Sequence, residues 1–120
     1  MSFTFEQARE LALSWPETYE QDHHGIASFR VRGKIFATAP DEGHLRVMAG
    51  EAEIRAAVAE HPGCCEPFYW GSRLACVVVS LEQAADGGLV SGLLGEAWLS
   101  KAPKSLADSV LKTLSRPPED

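Results

Sequence analysis

The stretch from Ile26 to Thr38 constrains the fold more than any other part of the chain. Ala27, Phe29 and Val31 alternate with Ser28 and Arg30, the period of a strand with one buried face. A second strand-like run, Lys34 to Thr38, follows after only Arg32-Gly33. Glycine in so short a connection supplies the positive φ that a tight hairpin needs. The two runs therefore predict an antiparallel pair, and Pro40-Asp41-Glu42-Gly43 predicts a second turn into a third strand, His44 to Met48.

Helical spacing surrounds this meander. Thr4 and Gln7 fit a capping box, and Ala8, Leu11, Ala12 and Trp15 recur at helical intervals, so a helix is expected from about Phe5 to Ser14, ended by Pro16. Residues 17–25 read as a loop. Gly50 opens a second helix with Ile54, Ala57, Val58 and His61 on one face and a Glu51–Arg55 pair on another; His61-Pro62-Gly63 stops it. Cys64 to Arg73 reads as irregular. Leu74 to Leu81 is the most apolar run, and its β-branched residues favour a buried central strand. Asp86 is a good N-cap for a third helix striped by Val90, Leu94, Ala97 and Trp98. Gly88, Gly92 and Gly95 weaken that helix by about 1 kcal/mol each if interior. Pro103 breaks it, and a last helix is expected over Ser105–Leu114. The order is α, three strands, α, two strands, then C-terminal helices. That predicts an α+β domain over residues 1–114, its antiparallel sheet covered by helices on one face, with a mobile tail at 115–120.

A chain of 120 residues suits one domain and buries enough surface to fold without staples. No apolar run approaches the roughly 20 residues that span a bilayer, so no membrane partner is expected. The N-terminus shows neither a basic start nor an apolar signal core. Three cysteines, two of them the neighbours Cys64 and Cys65, read as reduced thiols and a cytoplasmic location. The net charge of −6 opposes nucleic-acid binding taken over the whole chain. Charge is uneven, however. Residues 1–22 carry one basic residue against five acidic ones, whereas residues 23–50 carry four against two.

The run Phe29-Arg30-Val31-Arg32-Gly33-Lys34-Ile35-Phe36-Ala37 is similar to the F-x-V-x-G-K-x-F-A hairpin of the MmcQ/YjbR family. Trp15-Pro16, His24-Gly25, Tyr69-Trp70, and Ala97-Trp98 ahead of Ala102-Pro103-Lys104 match that family in order and spacing. The resemblance runs from about Phe5 to Leu114. It implies a two-layer α/β fold in α-β3-α-β2-α order, akin to the secretion-chaperone-like and frataxin-like class. Members are commonly described as DNA-binding proteins, and the resemblance brings no catalytic residues with it.

Candidate sites stand beside plainer explanations. Arg30, Arg32, Lys34 and Arg46, with Arg73 nearby, either form a phosphate-binding strip or are solvated strand charges that guard against edge pairing. Lys104 with Ser105 either holds an anion at a helix N-terminus or is an ordinary first-turn residue. Tyr69 and Trp70 either stack on a base or planar ligand or pack over the sheet edge. His61 with Cys64 or Cys65, and His23 or His24 brought in by folding, would be needed for a metal, yet no second CxxC or HxxxH completes a tetrahedral set. His44 opens a strand, and Cys76 reads as core packing. The expected function is a non-catalytic binding module for an anionic partner, DNA foremost, bound weakly and with steep salt dependence through Arg30, Arg32, Lys34, Arg46, Arg73 and Lys104. The alternative is a scaffold for a protein or small ligand. No cofactor and no metal are expected.

Overall fold

The structure is a computed structural model that describes residues 4–83 and 87–115. Helix α1 (Phe5–Leu13) starts at the capping box expected for it. The Thr4 hydroxyl accepts from the Gln7 amide at 3.1 Å, and the Gln7 side chain accepts from the Thr4 amide at 2.9 Å. Four strands follow: β1 (Thr18–His23), β2 (Ile26–Val31), β3 (Lys34–Asp41) and β4 (His44–Val47). Then come α2 (Glu51–Glu60), β5 (Cys65–Trp70), β6 (Arg73–Ser80), α3 (Gly87–Lys101) and α4 (Lys104–Ser115). The Asp86 cap and the tail beyond Ser115 lie outside the described residues.

All six strands form one antiparallel sheet in the order β1-β2-β3-β4-β6-β5. The α+β architecture agrees with the sequence, but the strand count before α2 is four rather than three. Residues 17–25, expected as loop, contain β1, which pairs with β2 in unbroken register from Thr18 opposite Val31 to His23 opposite Ile26. The segment expected to be irregular, Cys64 to Arg73, contains β5. Both are edge strands. Their residues are mostly exposed on either face, so no alternation marks them, and it is the backbone ladder to one neighbour that makes them strands. Pro67 is tolerated in β5 because an edge strand has a free side. The hairpin between β2 and β3 turns on Arg32 (φ 50) and Gly33 (φ 83), both left-handed, as a two-residue turn of the right twist demands.

The register separates two faces. Phe29, Ala37, Val47 and Val77 lie directly opposite one another in a row across β2, β3, β4 and β6, all fully buried. On that side α1 contributes Ala8 and Ala12, α2 Ile54 and Ala57, and α3 Val90, Leu94 and Trp98 to one core. Leu106 and Val110 of α4 pack against it. His61 does not join the inner face of α2; it caps the C-terminus and is exposed. Among the described residues no helix is long and apolar enough to cross a membrane.

Trp98 ties α3 to the turn after α1. Its indole N–H donates to the Pro16 carbonyl at 3.1 Å, and its ring stacks on Trp15 at 5.4 Å between centroids. Gly95, one turn earlier, makes room: a Cβ there would lie 2.7 Å from Cζ2 of Trp15. A Cβ at Gly92 meets nothing within 4 Å. The two glycines therefore differ in kind. Gly92→Ala is expected to stabilise by up to about 1 kcal/mol through helix propensity. Gly95→Ala is expected to destabilise, since overpacking a tight contact costs about 1–3 kcal/mol. Urea midpoints that move in opposite directions would bear this out; a gain for both would show that Trp15 yields freely.

Candidate functional site

The row beside the buried one points the other way. Ser28, Thr38, Arg46 and Val78 lie opposite one another across the same four strands, on the face away from the helix-covered core. That face curves into a cleft of about 440 Å³. Ile26, Ile35, Met48, Phe68, Ala75 and Cys76 give it apolar walls, and Thr38 lies among them. His23, Arg46, Arg73, Lys101 and Trp70 supply its polar and aromatic edges. No aspartate or glutamate is among the described residues lining it.

Each cation is held differently. The Arg46 guanidinium carbon sits 5.1 Å from the centroid of the Phe68 ring, a cation–π contact that fixes it without neutralising it. Arg46, Arg73 and Lys101 have no ion-pair partner among the described residues. Arg30 flanks the cleft: its Nε donates to the Ser28 hydroxyl at 3.1 Å and its Nη2 lies 3.3 Å from Nδ1 of His23. Ser28 in turn donates to the Gln21 carbonyl at 2.6 Å. Burial pushes the Cys76 thiol up, partly offset by the charge of Arg46. Thr38 is only 4% exposed, and its hydroxyl has no hydrogen-bond partner among the described residues. A buried polar group left unpaired costs about 1–3 kcal/mol.

Of the cations singled out in the sequence, Arg46 and Arg73 share the cleft and Arg30 adjoins it. Arg32 turns toward Glu17, with Nη2 donating to Oε2 at 2.9 Å; this hydrogen bond holds the Glu17 carboxyl below its usual range. Lys34 is exposed at the hairpin and Lys104 is the exposed first residue of α4; neither lines the cleft. The two aromatics part company. Trp70 lines the cleft and is 76% exposed, whereas Tyr69 lies beside Arg55 and Val58 of α2. Thr38, Phe68, His23 and Lys101 line the cleft with nothing in their neighbourhood of the sequence to announce it. Lys101 ends its helix, where a lysine ordinarily reads as a partner of the helix dipole. The register alone reveals Thr38, through its place opposite Arg46.

The histidines and cysteines do not converge. His44 pairs with Asp41 at 2.9 Å, and among the described residues no three of His, Cys, Asp and Glu gather as a metal ion would need. Cys64, Cys65 and Cys76 are free thiols. Cys65 is 1% exposed, and burial, aided by the neighbouring Cys64, pushes its thiol up to about 12. At pH 8 a thiol of that pKa is ionised in about one molecule in ten thousand, and the thiolate is the reactive form. In the folded protein, iodoacetamide is therefore expected to leave Cys65 and Cys76 unmodified, with denaturant releasing both, as peptide mass spectrometry would show. Rapid labelling of Cys65 without denaturant would mean that the start of β5 opens readily.

A search among curated proteins finds no match to the chain. Among solved structures it is similar to the crystal structure of Deinococcus radiodurans protein DR2400, domain DUF419. The TM-score is 0.72 at 19% sequence identity, over 97% of this chain and 91% of that one. A likeness at that identity concerns the fold, and it spans the whole arrangement of sheet and helices described above. The family model YjbR matches residues 13–100, from the end of α1 almost to the end of α3, and the chain belongs to the YjbR family.

Proposed function

We propose that this chain is a non-catalytic binding domain that takes an anionic ligand in the cleft on the open face of its sheet. One observation carries the proposal. A protein with 17 acidic and 11 basic residues gathers Arg46, Arg73 and Lys101 around one cleft that no carboxylate among the described residues lines. A concave site of one sign with low-dielectric walls focuses its field and draws in the opposite charge. The size of the cleft suits a small molecule. The three free thiols favour a reducing cytoplasm as the place where it works.

A second function, DNA binding, is favoured by Trp70. Its exposed ring beside Arg73 can stack on an unpaired base while the guanidinium meets a phosphate. A duplex held along the hairpin has less support, because Arg32 is already paired with Glu17. Three phosphate contacts to a single strand would give a slope of about −2 in log affinity against log salt.

Both functions place the ligand on Arg46 and Arg73, and calorimetry separates them. A small aromatic anion is expected to bind the wild type, with at least about a tenfold loss in Arg46→Gln/Arg73→Gln. Unchanged affinity in that double variant would reject the open face as the site. Oligothymidylate binding tighter than that of the small anion, with the stated salt slope, would select the second function.

A further inference from the structure

Two thiols touch at the start of β5. Adjacent residues of a strand point to opposite faces, so neighbouring cysteines ordinarily keep their sulfurs apart. Here Cys65 opens β5 and turns into the core at 1% exposure, whereas Cys64 still belongs to the turn before it and escapes that alternation. The two Sγ atoms stand 3.8 Å apart. The backbone holds the pair so: the amides of Cys64 and Cys65 both donate to the His61 carbonyl, at 3.1 and 2.9 Å, and the Cys64 carbonyl accepts from the Ser80 amide at 2.8 Å. Half-buried Cys64 lines a cavity of about 250 Å³ with Glu66, Val78 and Ser80, at the far end of β6 from the cleft.

Ligand count and spacing limit what two such sulfurs can hold. Among the described residues no third His, Cys, Asp or Glu gathers with them, so a structural zinc ion, which takes four protein ligands, is not served. With metal–sulfur bonds of about 2.3 Å, a linear two-coordinate ion needs sulfurs about 4.6 Å apart, wider than this pair stands. A bent centre that brings its own third substituent fits. We infer that Cys64 and Cys65 form a chelating site for monosubstituted trivalent arsenicals, with Cys64 the point of first attack and the organic substituent in the cavity. Arsenic held by Cys64 meets Cys65 at contact distance, so the second bond closes within the molecule at high effective concentration. The arsenic–oxygen double bond gives way to two arsenic–sulfur bonds, and both thiol protons leave with the oxygen as water. Arsenic stays trivalent, and no oxidant is needed. Cys65, which burial withholds from a one-point reagent, is reached through its neighbour. The site is separate from the cleft and does not depend on the function proposed for it.

The probe is phenylarsine oxide, added to the whole reduced chain and followed by native mass spectrometry. One phenylarsenic group per chain is expected, with the mass of the reagent less one water. 2,3-Dimercaptopropanol is expected to remove it and 2-mercaptoethanol to leave it, the mark of two sulfurs on one arsenic. Cys64→Ser and Cys65→Ala are each expected to weaken the adduct by at least about a hundredfold, the loss of the chelate. Cys64 is half-buried, so Cys64→Ser tests the site even where Cys65→Ala fails to fold. Arsenic that a monothiol strips from the wild type, or that Cys64→Ser holds as tightly as the wild type, would overturn the chelate. So would an adduct that forms only in denaturant.

Discussion

The cross-strand register of β2, β3, β4 and β6 places Phe29, Ala37, Val47 and Val77 in one row and Ser28, Thr38, Arg46 and Val78 in the next. Side chains in adjacent rows leave the sheet on opposite sides, so this one alignment decides what is core and what is site. The helices bury the first row, and over the second α3 contributes Lys101 at its C-terminal end. A slip of β4 by one residue against its neighbours would drive Arg46 toward the core and Val47 into water. The Arg32-Gly33 turn, left-handed at both residues, pins the central hairpin against such a slip. Trp98, bonded to the Pro16 carbonyl and stacked on Trp15, holds the covering helix in place.

Charge follows the same division. Paired charges lie outside the cleft: Arg9 with Glu20, Arg32 with Glu17, Arg55 with Glu51. The cleft cations are held by an aromatic ring or by position alone. An anionic protein thus carries a local field opposite to its net charge, and the apolar walls strengthen that field by excluding water.

Much of this was legible residue by residue. The Thr4–Gln7 capping box, the Gly33 turn, the alternation of β2 and the valines of β6 each act through near neighbours, and each appears where expected. The edge strands were not legible. β1 and β5 meet water on both faces, so their side chains carry no period, and only pairing with β2 or β6 gives them form. The conspicuous cations were visible as residue types, but Arg32 and Arg46 look alike in a sequence. One meets Glu17 across a turn and the other meets Phe68 across two strands. Gly95 likewise read as a weakness in α3, whereas it is the space that Trp15 occupies.

The amino-acid sequence by itself determined the local conformations: where helices start, where the chain reverses, which strand is deeply buried, and which family signature the hairpin carries. These depend on backbone preferences and on contacts within a few residues. Only the tertiary structure decided that Thr38, Arg46, Arg73, Lys101 and Trp70 face one cleft while Arg32, Lys34, Lys104 and Tyr69 do not. The physical reason is that a side chain's surroundings on a sheet are set by strand order and register, which bring together residues far apart in the chain, and by which face the helices happen to cover.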